Sequence, residues 1–178
     1  MKVIETKLIN LIKDVTGDVI LIGISFNSFL KAAKENKEIS KLHLLKSIEF
    51  GDEENKSFFE KIDLPLNKIK KKYKKNKIDY IFIDYNHIKN YLKSFIKDSI
   101  YINNKKIYIV FDNEDDLIKV SNKYKMFNSE VTYSKEGKSY LLRIDNTNVK
   151  SNKIKDKIVE LKEVLNYLLD LLEKHTLK

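Results

Sequence analysis

Apolar residues alternate along the chain between two patterns, a helical spacing near 3.6 and short unbroken runs of strand length. Over residues 3–15, Ile4, Leu8, Leu11, Ile12 and Val15 fall on one helical face, and Thr16-Gly17-Asp18 follows as a stop and turn. Val19-Ile20-Leu21-Ile22, bracketed by Gly17 and Gly23, predicts a strand buried on both faces. Residues 27–36 carry Phe29, Leu30, Ala32 and Ala33 among good helix formers, and Ser25 or Asn27 can cap them. Leu42-His43-Leu44-Leu45 predicts a second strand, extending toward Ile48 and stopped by Glu49-Phe50-Gly51-Asp52. Residues 53–61 read as a short helix. Asp63-Leu64-Pro65 opens another, with an acidic cap, a first-turn proline and a buried stripe of Leu66, Ile69 and Tyr73.

The second half repeats the alternation. Ile78 to Asp84 is a further strand, after which Asn86 caps a helix with Ile88, Leu92, Phe95 and Ile96 inside. Ile107 to Phe111 is another buried run, followed by an acidic helix start at Asp112 to Asp116, where carboxylates suit the positive end of the helix dipole, and a stripe of Leu117, Val120 and Tyr124. Residues 130–133 and 139–144 flank Lys135-Glu136-Gly137-Lys138, a turn that makes them a hairpin. Alternating strands and helices of these lengths predict an α/β, Rossmann-like three-layer domain with a mostly parallel sheet and a terminal antiparallel hairpin. No third βα unit is evident between the second strand and Ile78, so the expected sheet is one strand short.

Beyond residue 148 the pattern changes. Ser151 can cap a helix reaching His175, about 36 Å long at about 1.5 Å per residue. Ile154, Ile158, Leu161, Leu165, Leu168 and Leu172 step by alternating fours and threes, the seam of a coiled coil, which predicts self-association or a partner helix. Val164 and Leu169 widen that stripe, which also fits packing against the chain's own domain. The expected organisation is residues 1–148 as the α/β domain and 149–178 as a long C-terminal helix.

Composition narrows the chemistry. The 178 residues suffice for one domain with a core, no apolar run reaches membrane-spanning length, and no signal-peptide core opens the chain, so a cytoplasmic protein is expected. The absence of cysteine excludes disulfides, thiolate nucleophiles and cysteine metal sites. His43, His87 and His175 lack ligand spacing and read as ordinary polar or half-buried residues, so no metal is expected. The formal charge of +9 invites nucleic acid, but Arg143 is the single arginine among 35 basic residues, and Arg's planar fork is what guanine and phosphate recognition prefers. Lys70, Lys71, Lys74 and Lys75 lie on the outer positions of the Leu66 helix, where they read either as a solvated face or as a phosphate-binding patch.

The element order, with Val19-Ile20-Leu21-Ile22-Gly23 and Asp79-Tyr80-Ile81-Phe82-Ile83-Asp84, resembles the class I S-adenosylmethionine-dependent methyltransferases over about residues 1–146. That resemblance implies the cofactor S-adenosylmethionine lying over the loop at Gly23, its ribose held by Glu49 at the end of the second strand, and Asp84 as a catalytic or adenine-side residue. The loop departs from the family pattern. Leu21 stands at the position of an acid, and Ser25 and Asn27 stand where further glycines belong, with Phe26 between them. A lone glycine after a strand is also a plain turn residue, and Asp84 with Asn86 reads equally as a helix cap. The resemblance therefore implies an S-adenosylmethionine-binding, methyltransferase-like protein of weak or lost activity. The alternative is a non-enzymatic oligomeric binding or assembly module on the same scaffold, contacting nucleic acid through the lysine-rich helix.

Overall fold

Val19, Ile20, Leu21 and Ile22 are all fully buried because the strand they form is covered on both faces and paired on both edges. The computed structural model describes residues 3–24, 26–45, 60–62, 69–127 and 129–147. Their order is α1 (Val3–Lys13), β1 (Gly17–Ile22), α2 (Asn27–Glu35), β2 (Ile39–Leu45), β3 (Glu60–Ile62), α3 (Ile69–Lys72) and β4 (Ile78–Asp84). Two 3₁₀ turns follow, Tyr85–His87 and Lys89–Tyr91, and then α4 (Leu92–Ile102), β5 (Asn103–Phe111), α5 (Glu114–Lys125), β6 (Glu130–Glu136) and β7 (Ser139–Asp145). The seven strands form one sheet in the order β3-β2-β1-β4-β5-β7-β6. Every pairing is parallel except β5 with β7 and β6 with β7. Among the described residues no helix is long and apolar enough to cross a membrane.

Strand alternation sorts the core into two layers. Ile20, Ile22, Ile81, Ile83, Ile107 and Ile109 share a cluster with Ile69 of α3, Phe95 of α4 and Leu117 of α5. Val19, Leu21, Phe82 and Tyr108 share the other with Leu8 of α1 and Phe29 of α2. On the first face the Ser99 and Tyr124 hydroxyls meet at 2.9 Å, which ties α4 to α5 with both buried groups satisfied. Burial pushes the Tyr124 phenol far above its ordinary range, so it stays neutral.

Three expectations are corrected. The sheet is not a strand short: Glu60-Lys61-Ile62, of which Glu60 and Lys61 are expected to end a helix, pairs with His43-Leu44-Leu45 as β3. Three residues carry no periodicity, and the β2 ladder supplies what local propensity does not. Asn86 does not cap α4. The Asp84 carboxylate accepts the Asn86 backbone N–H at 2.9 Å and caps a 3₁₀ turn instead, while α4 starts at Leu92. Nor does Asn27 cap α2, whose N-cap position is Phe26 without a side-chain bond. Of the helix expected from Asp63, the described part is α3 with Ile69 and Tyr73 buried; Leu66 lies outside the described residues, as does the whole segment 148–178.

Candidate functional site

The chain moves to one side of β1 through β2 and β3, then returns to the other side at β4. The reversal falls between β1 and β4, and it is outside the carboxyl ends of strands at such a switch point that open α/β sheets bind ligands. Ile22 pairs with Ile83, so Gly23 and Asp84 leave the sheet side by side. Gly23 has a φ of +69°, in the left-handed region that a side chain resists. A Cβ there would also lie 2.2 Å from His87 Nδ1 and 2.4 Å from its Cγ, so the imidazole rests directly on the Gly23 backbone.

The first 3₁₀ turn places that imidazole. With one Asp84 oxygen holding the turn through the Asn86 N–H, the other stands 4.0 Å from His87 Nδ1, both side chains being partly exposed. The Asn86 side-chain amide donates to Asp112 at 3.0 Å, just past β5, and the Tyr85 hydroxyl donates to Asp116 at 3.2 Å. Burial first, and then the Asp116 carboxylate, push the Tyr85 phenol above its ordinary value and keep it a donor. Asn113 caps α5 by accepting the Asp116 N–H at 2.9 Å. These bonds join the ends of β4 and β5 into one polar rim. A cavity of about 550 Å³ opens beside it, lined by Val3, Ile4, Asp112, Glu136, Lys138 and Ser139.

Of the residues expected from sequence, Gly23 and Asp84 are brought together. Glu49 lies outside the described residues. Lys70, Lys71, Lys74 and Lys75 lie in and just after α3, before β4 begins, and so belong to the amino-terminal end of β4, opposite the end that carries Asp84. Lys70 Nζ sits 4.6 Å from the centre of the Tyr101 ring, and the other three are exposed. His87 is the site residue that sequence reasoning passed over as ordinary. Its signal is an acid ending a buried strand with a histidine three positions on.

The arrangement offers a closely approachable backbone at Gly23, as a cofactor loop requires, but the imidazole stands in that approach. That imidazole is partly exposed and carried on a 3₁₀ turn.

No family model and no curated protein matches the sequence. Solved structures do match the fold. A precorrin-6y C5,15-methyltransferase from Geobacter metallireducens superposes with a TM-score of 0.58 at 10% identity, over 79% of this chain and 86% of that one. A precorrin 8w decarboxylase from Methanobacterium thermoautotrophicum gives 0.56 at 8% identity, over 79% and 88% of the two chains. A SAM-dependent methyltransferase from Aquifex aeolicus gives 0.53 at 13% identity, over 79% and 87%. Different reactions on one scaffold at such identities mean that the likeness speaks for architecture. In strand order and in these matches, the described domain has the Rossmann-like fold of the class I S-adenosylmethionine-dependent methyltransferases.

Proposed function

We propose that this protein binds S-adenosylmethionine at the switch point between β1 and β4 and that His87 weakens both binding and any methyl transfer. One observation carries the reading: a left-handed glycine at the topological switch point, side by side with a strand-ending carboxylate and covered by an imidazole. Methyltransferases among the fold's neighbours support the choice of cofactor. The cofactor, when bound, supplies the methyl group. Gly23 lets it approach the main chain, Asp84 can accept a hydrogen bond from an amine or hydroxyl there, and His87 has to leave Gly23 first. That displacement opposes binding. Calorimetry with S-adenosylmethionine and its demethylated product should therefore show His87→Ala binding at least about tenfold tighter than the unaltered protein, a gain of about 1.4 kcal/mol. Silence of both proteins at millimolar ligand refutes the reading.

A second reading, a non-enzymatic assembly module, is favoured by the bonds that engage Asp84 and Asn86 within the rim itself. It would use the seam Ile154, Ile158, Leu161, Leu165, Leu168 and Leu172, whose burial an isolated helix of that length needs for stability in water. Light scattering should then give a multiple of the 21.1 kDa chain at micromolar concentration and a monomer after truncation at Asn148. A full-length monomer at high micromolar concentration rules out the homo-oligomer.

A further inference from the structure

The two faces of the sheet differ in charge. Residues 3–38, which supply α1 and α2, hold five lysines against five carboxylates. On the other face, residues 69–77 hold six lysines and no carboxylate. Beside them, where α4 and α5 are tied by the Ser99 and Tyr124 hydroxyls, a shallow, open groove of about 640 Å³ runs over the second 3₁₀ turn. Five lysines line it: Lys89, Lys93 and Lys97 from one side, Lys119 and Lys123 from the other. Lys93 and Lys97 in α4, and Lys119 and Lys123 in α5, step by four, which puts like charges on one helical face and costs an isolated helix stability. No carboxylate lines the groove, and none of the five forms an ion pair among the described residues. Tyr91 stands among them with 41% of its surface exposed.

We infer that this groove binds a single-stranded polynucleotide, its phosphates against the lysines and a base on the Tyr91 ring. The observations separate this occupant from other polyanions. A bilayer surface offers no unstacked base to the exposed Tyr91 ring. An acidic peptide would match the charge and leave the aromatic unused. A duplex keeps its bases stacked away from Tyr91. A cationic groove with a stacking ring is how single strands are held without sequence preference. The inference needs nothing of the β1–β4 switch point. The α3 lysines lie on the same face and extend the field, but Lys70 is turned onto Tyr101, and the smaller hollow of about 260 Å³ that gathers Lys72, Lys74 and Lys77 is also lined by the carboxylate-bearing Asp18.

The test is fluorescence anisotropy on the full chain with a labelled twelve-nucleotide oligouridine, a duplex of equal length, and vesicles containing phosphatidylserine. Five neutralised phosphates give a salt slope of about −3.5 for a single strand, so affinity should fall about 100-fold between about 50 and 200 mM salt. Replacing all five groove lysines by glutamine should lower affinity at least about tenfold at the lower salt and flatten the slope. Tyr91→Ala should weaken binding about fivefold at every salt concentration, since stacking is not screened. Lys70, Lys71, Lys74 and Lys75 replaced together should cost less than about threefold. Circular dichroism checks that each variant folds. Should the fivefold variant fail, Lys119→Gln with Lys123→Gln alone should flatten the slope by about 1.4. Unchanged binding in the groove variants, an equal loss in the α3 variant, or groove-dependent binding to vesicles without binding to the strand overturns the inference.

Discussion

A Phe82→Ala protein is expected to unfold with a free energy lower by about 3–5 kcal/mol, the cost of emptying a site of this size in a core that cannot fully collapse. Phe82 lies in the middle of β4, fully buried, with Leu21 of β1 and Tyr108 of β5 as its partners across the ladders. Its ring stacks on Tyr108 at 4.8 Å and meets Phe29 of α2 tilted at 5.5 Å. These contacts join three strands and a helix, so removing the ring unsupports groups held by three other elements. Backbone pairing holds the strands apart, which keeps their side chains from closing the cavity. Domains of this kind are stable by about 5–15 kcal/mol, so the loss is a large part of the whole. Phe82→Leu, which keeps most of the volume, should cost about 1.5 kcal/mol or less. Urea unfolding should show the midpoint falling with little change in slope. A loss below about 1 kcal/mol would mean that the Phe29, Phe82 and Tyr108 stack does not organise the core.

The elements readable from sequence are those whose own residues decide their state. β1, β4 and β5 each contain an apolar run, residues 19–22, 80–83 and 107–111, because both their faces are covered there, and the hairpin is readable because Gly137 fits the turn with a φ of +68°. β3 was not readable: Glu60-Lys61-Ile62 is a strand by virtue of its neighbour. The segment after β4 misled for a different reason. Ile88 and Leu92 are four apart, as in a helix, yet the backbone bonds run from Ile88 to Tyr85 and from Tyr91 to Ile88, the 3₁₀ pattern. Spacing of side chains does not distinguish a continuous helix from two turns and a helix.

The same distinction governs the sites. Gly23 and Asp84 could be named because each ends a recognisable strand. The imidazole that meets Gly23 comes from 64 positions along the chain, and only the parallel pairing of β1 with β4 brings it there. Lysines are conspicuous in sequence where they cluster, at 70–75. Those that share a groove are divided between Lys89–Lys97 and Lys119–Lys123, two stretches joined only by the packing of α4 on α5.

Gly23→Ala is expected to cost about 2–3 kcal/mol, and a double-mutant cycle with His87→Ala separates its two causes. The first cause is the backbone. An L-residue at a φ of +69° carries about 1–2 kcal/mol of strain whatever surrounds it. The second is the ring, which the new Cβ would meet at 2.2 Å and which must swing away. Its loss should be modest, because His87 is partly exposed and its Nδ1 stands 4.0 Å from Asp84, too far for a hydrogen bond. His87→Ala alone should therefore change stability by less than about 1 kcal/mol. In the double variant the ring is gone and the strain remains, so Gly23→Ala should then cost only about 1–2 kcal/mol. A coupling of about 1 kcal/mol is the expected signature, measured by urea unfolding of the four proteins at one pH. Strict additivity would mean that the imidazole does not press on Gly23, and the account of a self-covered cofactor loop would fall with it. The cycle also yields a binding contrast: His87→Ala opens the loop and tightens S-adenosylmethionine, whereas the double variant places a methyl group where the cofactor approaches the main chain and should lose that gain.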